Sequence, residues 1–100
     1  MSEEKIREYE PEVTVDALLA FEKMTGVQSL KDPNAIVGSI GNLTVLLYCA
    51  IKKQYPRLSF ERFSNELRPE ELGLALPKVV ESLTNFFSRF GGVKSEETES

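Results

Sequence analysis

The most apolar stretch of the chain lies near its middle, in residues 39–56, which read SIGNLTVLLYCAIKKQYP. Between Leu43 and Ile51 only Thr44 is polar, so a helix here would be apolar on almost every side. Such a helix is normally enclosed by other elements, and a span of nine residues is too short to cross a bilayer. The pattern predicts a buried central helix around which the rest of a small helical domain packs.

The residues before this stretch predict two further helices. The first covers 13–25, with Thr14 as its N-cap and Gly26 as the left-handed residue that ends it. Asp32-Pro33 then opens a short helix, because an oxygen cap followed by proline is a strong start signal. The glycines that follow predict a break near Ser39, which would cap the central helix. An unbroken helix from residue 33 is the alternative.

The residues after the central helix also follow helical spacing. Ser59 is expected to cap a helix over 60–67, and a short helix should follow over 70–76. Pro77 either restarts or kinks that helix, since proline is tolerated in a first turn but not in an interior. The last helix carries an apolar stripe, Val79, Leu83, Phe86 and Phe90, and Gly91-Gly92 is expected to end it. The predicted fold is an all-α bundle of about five helices, two of them short, in one domain.

The charge of the chain is concentrated at its two ends. The net charge is −4 over 100 residues, with −3 in residues 1–12 and −2 in residues 93–100, so the segment between them is nearly neutral. Acidic ends with few apolar residues are usually disordered. We therefore expect flexible acidic tails at 1–12 and 93–100 around a helical domain at 13–92.

Nothing in the sequence forms a catalytic or metal-binding motif. Histidine is absent, so the commonest general base and zinc ligand is missing. The single cysteine, Cys49, lies in the most apolar stretch and is expected to be a buried, inert thiol. The glycines of GSIGN lack the lysine of a phosphate-binding loop. We expect a protein that is not an enzyme and has no cofactor or metal. The charged N-terminus argues against secretion, so a cytoplasmic location is expected.

Two groups of residues are candidates for binding a partner. The first is aromatic: a helical scaffold with incompletely covered aromatic side chains would accept an apolar helix. Its members are Tyr48, Phe60, Phe63, Phe86, Phe87 and Phe90. The alternative is that all six belong to the core. The second group is basic and would suit phosphate binding, with Lys52, Lys53, Arg57, Arg62 and Arg68. The acidic tails and nearly neutral body argue against nucleic acid.

The order of segments resembles the tail assembly chaperones of long-tailed bacteriophages. The first helix ends in the family's "lE-x-x-x-G" pattern, from Phe21 to Gly26. The central helix carries LLYCAI, similar to the family's "LLYAAL", and PRLSFER resembles the "P-x-L-[ST]-x-E-E" turn that leads into the next helix. The chain departs from the family at Arg62, where an acid is common, and in lacking an N-terminal strand pair.

The resemblance implies a role in virion assembly without chemistry. Proteins of this family bind the long, helical tape-measure protein and keep it soluble in the host cytoplasm while the tail tube forms around it. The implied partners are the tape-measure protein and the tail tube protein, without a membrane. Two alternatives stay open: a small phage or prophage DNA-binding or regulatory protein that uses the basic group, and a homo-oligomeric tail or connector component.

Overall fold

The computed structural model describes residues 6–29 and 31–99, and the side chains of Pro33 and of residues 90–99 lie outside that description. Five helices follow one another: α1 (Val15–Thr25), α2 (Pro33–Val37), α3 (Ile40–Ile51), α4 (Phe60–Glu66) and α5 (Pro69–Glu99). Over these residues there is no β-strand. The predicted all-α bundle of about five helices, two of them short, is therefore confirmed.

Helix α3 occupies the centre of the bundle, as its sequence predicts. Each of the other four helices packs against it. Seven of its twelve residues are buried, in a continuous run from Leu46 to Ile51 together with Leu43. A helix that is apolar on all sides can only be stable when other elements cover it. The bundle supplies that cover.

The helix starts and stops follow the local signals in the sequence. The hydroxyl oxygens of Thr14, Ser39 and Ser59 each accept a hydrogen bond from the backbone N–H three residues further on, at 3.1–3.2 Å. Gly26 ends α1 with φ of +81°, a conformation that favours glycine. The break near Ser39 is also confirmed, but Asp32 makes no side-chain cap to α2. Short-range capping therefore fixes most of the boundaries.

Helix α5 is longer than the sequence predicts. The helix does not restart at Pro77, which lies in its interior, and it does not end at Gly91-Gly92. An interior proline costs about 3 kcal/mol, but Ala75 and Val79 on either side of it are buried in the core and offset that cost. Glycine is unfavourable in a helix by about 1 kcal/mol, yet it can adopt helical angles. The backbone of residues 93–99, which the sequence assigned to a flexible acidic tail, is helical; residue 100 is outside the described part.

The N-terminal segment is packed on the bundle instead of forming a tail. Residues 6–13, here called the strap, have no regular secondary structure, but Tyr9 in their middle is 4% exposed. The Glu12 N–H donates to the Ala50 carbonyl at 3.1 Å, at the end of α3. The prediction of a flexible tail is wrong for residues 6–12, because Tyr9 and Val13 anchor the segment despite its charge; residues 1–5 are not described.

Candidate functional site

Three of the six candidate aromatic residues belong to one packed cluster. The rings of Tyr48 and Phe60 meet edge to face at 5.4 Å, and those of Tyr48 and Phe63 lie 5.6 Å apart. Tyr9 of the strap packs on Phe63 at 5.7 Å and on Tyr55 at 6.0 Å. Such pairs stabilise a core beyond the area that they bury. These five residues are called the aromatic cluster below.

The aromatic cluster is mostly closed to a partner. Phe63 is 2% exposed and Tyr48 is 8% exposed, while Phe60 is half-buried. The Tyr48 hydroxyl donates to the Leu58 carbonyl at 2.7 Å, which satisfies its polar atom inside the fold. Tyr48 and Phe63 are therefore core residues, and the prediction that they belong to an accessible binding surface is wrong for these two. The sequence alone left both possibilities open.

The other candidates lie on α5, beyond the point where it leaves the centre of the bundle. Phe86 and Phe87 are both half-buried and meet edge to face at 5.8 Å. They pack against the edge of the core. The side chain of Phe90 is outside the described residues. Among the described side chains of the predicted aromatic set, Phe60, Phe86 and Phe87 are therefore the half-buried ones.

A groove separates α5 from the start of α1, and Phe86 lies in its wall. Its volume is about 630 Å³, and Val13 and Val15 form the facing apolar wall. The Val13 N–H donates to the Ser82 hydroxyl at 2.9 Å and so holds the two walls together. The rim is polar, with Glu12, Asn85, Ser88 and Arg89. The lining of this α1–α5 groove is mixed, with three apolar side chains, Val13, Val15 and Phe86, among polar ones; protein-binding sites commonly combine the two.

Apolar side chains continue from the groove along the outer face of α1. Val15 is 60% exposed, and Leu19, one helical turn further on, is 59% exposed. Sequence reasoning missed both as surface residues. The width of the apolar face of α1 could have identified them. Leu18 and Phe21 already form the stripe that packs on the core, so Val15 and Leu19 lie beside that stripe.

A buried carboxylate was also missed. Glu71 is 2% exposed, and its two carboxylate oxygens accept the backbone N–H groups of Arg68 and Arg7, each at 3.0 Å. The first bond closes the N-terminus of α5, as a glutamate at the third helical position commonly does. The second bond attaches the strap to α5. Since both oxygens are occupied by backbone donors, Glu71 has a structural role.

The thiol of Cys49 is buried, as predicted. Desolvation by burial raises its pKa from 9.0 to about 11, against a smaller lowering by the charge of Lys52. The Sγ atom lies 3.8 Å from the Met24 sulfur. Because the thiolate is the reactive form of cysteine, this environment suits an inert side chain.

The predicted basic group is not a continuous surface for phosphates. The Lys52 ammonium donates to the carbonyls of Pro56 and Leu58, both at 2.9 Å, and so closes the turn after α3. Arg62 pairs with Glu66 at 3.2 Å. Arg57 and Arg62 line a second groove, which also includes Arg7 of the strap. Part of the basic group thus stabilises the fold, and part lines this second groove.

Across residues 6–29 and 31–99, no group of three or more acidic or cysteine side chains is placed to hold a metal ion. In the same part of the chain, no helix combines the length and apolar character needed to span a membrane.

Comparison with known proteins gives no match: no family model, no curated protein and no solved structure is significantly similar to this chain. The resemblance to tail assembly chaperones therefore rests on the quoted residues alone.

Proposed function

We propose that this protein is a non-enzymatic binding protein whose α1–α5 groove takes an apolar helix from a partner. The observation that carries the proposal is the exposure of Val15 and Leu19, 60% and 59%, beside a groove that Phe86 also lines. Isolated exposed apolar residues are ordinary, but a row of them along a groove is typical of an interaction site. Covering one such side chain is worth roughly 1–2 kcal/mol.

A helix is the partner element that best fits this surface. Val15 and Leu19 repeat at one turn of α1, and Ser82 and Phe86 repeat at one turn of α5. A third helix, which projects its own residues at intervals of three and four, would place side chains against both of these pairs. The polar rim would then contact the solvent-facing side of the bound helix.

The more specific proposal is that the partner is a tape-measure protein and that this chain is a phage tail assembly chaperone. Its support is the resemblance in Phe21 to Gly26, in LLYCAI and in PRLSFER. A tape-measure protein is a long apolar helix, which is the kind of ligand that the α1–α5 groove suits. In this role the protein would act in the bacterial cytoplasm before the tail tube closes, with the tail tube protein as a further partner.

The two alternative functions have less support. A DNA-binding role needs cations that are free to neutralise phosphates, whereas Lys52 is engaged with the carbonyls of Pro56 and Leu58 and the chain carries a net charge of −4. A self-assembling tail component would use the same exposed apolar row to bind a second copy. The oligomeric state of the isolated protein therefore separates self-assembly from chaperone activity.

The experiment that tests the proposal is co-expression with the tape-measure protein of the same genome. The wild-type chain is expected to co-purify with it and to increase its soluble fraction. Val15→Asp and Phe86→Asp should abolish both effects, because an unpaired carboxylate in an apolar contact is strongly unfavourable. Leu74→Asp is the matched control, since Leu74 is 46% exposed on α5 and does not line the groove.

The outcomes distinguish the three functions. Loss of the complex in both groove variants but not in the control supports the chaperone. If no complex forms and the purified chain is itself a large oligomer, the protein is a self-assembling component and not a chaperone. If the chain instead binds DNA with an affinity that falls steeply as salt rises, the regulatory alternative is correct. Circular dichroism of each variant shows that the fold is retained.

A further inference from the structure

A second groove lies on another part of the surface, where the strap meets the turn before α4. Its volume is about 620 Å³. Arg7 of the strap, Arg57 of the turn and Arg62 of α4 contribute guanidinium groups to it. Arg7 is about fifty positions away from the other two arginines in the sequence, and the fold brings it to the same site. This is called the arginine groove below.

The arginine groove also contains apolar and aromatic surface. Tyr9 and Tyr55 line it and meet edge to face at 6.0 Å. Tyr9 is buried, while Tyr55 is 43% exposed and is therefore open to a ligand. Leu58 adds an aliphatic contact. A ligand that fits this site needs an apolar group for the tyrosine surface and negative charges for the arginines.

The guanidinium groups keep hydrogen-bonding capacity for such a ligand. Arg57 is exposed. Arg62 pairs with Glu66, but the two side chains are 68% and 46% exposed, and ion pairs so open to water are weak and easily exchanged. Arg7 donates to the Tyr9 hydroxyl at 3.3 Å, which uses one of the five N–H donors of its guanidinium. The hydrogen bond to Tyr9 is also the main reason that the pKa of Arg7 is raised.

The charge of the arginine groove is opposite to that of the whole chain. Three arginines and Glu66 leave the groove positive, although the protein carries a net charge of −4. A guanidinium binds a carboxylate with two parallel hydrogen bonds, which makes arginine well suited to acidic peptides. A long nucleic acid fits less well, since it needs a basic surface that continues beyond one site, and the chain as a whole carries a net charge of −4.

We propose that the arginine groove binds an acidic peptide segment of a protein partner. Glutamate or aspartate side chains of that segment contact Arg57 and Arg62, and a neighbouring apolar side chain packs on Tyr55. The site is separate from the α1–α5 groove, so it does not depend on the function proposed for that groove.

The test uses fluorescence anisotropy with a fluorescein-labelled nonapeptide of alternating glutamate and leucine. A second peptide with glutamine in place of glutamate measures the contribution of charge. The expected result is saturable binding of the acidic peptide, and a loss of about tenfold or more in affinity for Arg57→Glu and for Arg62→Glu, as expected when a charge-assisted hydrogen bond is removed. Lys31→Glu is the control, because it makes the same charge change at an exposed position outside both grooves.

Three results would overturn the proposal. The first is equal binding of the acidic and the glutamine peptides, which would mean that carboxylates are not recognised. The second is an equal loss of affinity in Lys31→Glu, which would indicate attraction by overall charge and no defined site. The third is displacement of the peptide by a single-stranded 20-nucleotide DNA that binds more tightly, which would identify the groove as a nucleic-acid site. Thermal unfolding of each variant verifies that the binding data come from folded protein.

Discussion

The aromatic cluster and the α1–α5 groove both contain large apolar side chains, but the fold covers those side chains to different extents. In the cluster, Tyr9 of the strap lies across Phe63 and Tyr55, and Phe63 is 2% exposed. At the groove, the strap has already ended at the hydrogen bond from Val13 to Ser82. Beyond that bond, Val15 and Leu19 are more than half exposed.

The difference shows that the strap determines which apolar surface is core and which is open. An extended segment of eight residues, 6–13, covers one aromatic region and stops at the edge of the other. We infer that a partner helix in the α1–α5 groove would cover the second region much as the strap covers the first. Replacing residues in each region should therefore affect different properties: stability in the cluster, and binding in the groove.

The largest effect is expected for Phe63→Ala in the aromatic cluster. Truncating a fully buried phenylalanine removes apolar contacts and leaves a cavity, and it should lower the free energy of unfolding by about 3–5 kcal/mol. Phe86→Ala in the α1–α5 groove should cost only about 1 kcal/mol, because Phe86 is half-buried and less of its surface is removed from water. Urea unfolding followed by circular dichroism measures both. Equal losses would mean that the two regions are covered alike.

The next effect separates two adjacent leucines of α1. Leu18 is 7% exposed and Leu19 is 59% exposed. Leu18→Ala should therefore lower the free energy of unfolding by about 2–4 kcal/mol, whereas Leu19→Ala should change it by less than about 0.5 kcal/mol. In the co-purification assay Leu19→Ala should have the larger effect of the two variants: it should lose partner binding while the chain remains stable. A stable Leu19→Ala chain that binds the partner normally would show that Leu19 is not part of the binding site.

A smaller effect concerns the attachment of the strap. Glu71→Gln replaces one acceptor oxygen by an NH₂ group, which faces a backbone donor, and it should cost about 1–3 kcal/mol. Glu70→Gln is the matched control, because Glu70 is exposed and its contact with Arg68 is 3.9 Å long; its cost should be below about 0.5 kcal/mol. Amide hydrogen exchange at Arg7 should accelerate only in Glu71→Gln. Unchanged exchange there would show that the strap does not depend on this carboxylate.

The smallest effect on stability, but a clear chemical one, is expected at Cys49. Burial raises the pKa of the Cys49 thiol to about 11. The thiolate is therefore disfavoured in the folded state. The stability that this thiol contributes is lost as the pH rises from 9 towards 11. At pH 8 a shift of two pKa units leaves about 100-fold less thiolate than in the unfolded chain. Alkylation by iodoacetamide should be correspondingly slow until denaturant is added. Rapid alkylation of the native protein would contradict this burial.

The sequence predicts the parts of the fold that depend on neighbouring residues. The caps at Thr14, Ser39 and Ser59, and the end of α1 at Gly26, need only residues within one turn. The central position of α3 also follows from its own composition, since a helix that is apolar on all sides must be enclosed. These features were predicted correctly because their causes lie within a short segment.

The features that the sequence does not predict depend on distant contacts. The strap is held by bonds between residues 64 and 69 positions apart, from Arg7 to Glu71 and from Val13 to Ser82. The continuity of α5 through Pro77 requires the packing of Ala75 and Val79 on the core. Phe63 and Phe86 fit a helical apolar stripe equally well, so the sequence pattern does not distinguish them. The burial of Phe63 and the partial exposure of Phe86 follow from the path of the strap.

The central claim is that the α1–α5 groove is the partner-binding surface, and amide chemical shifts in a titration test it most directly. The ¹⁵N-labelled chain would be titrated with a soluble helical fragment of the tape-measure protein from the same genome. The account predicts that shifts change in residues 13–19 and 82–89 and stay unchanged around Tyr48 and Phe63. Changes concentrated at residues 55–66, or no change at a saturating concentration of the fragment, would contradict it.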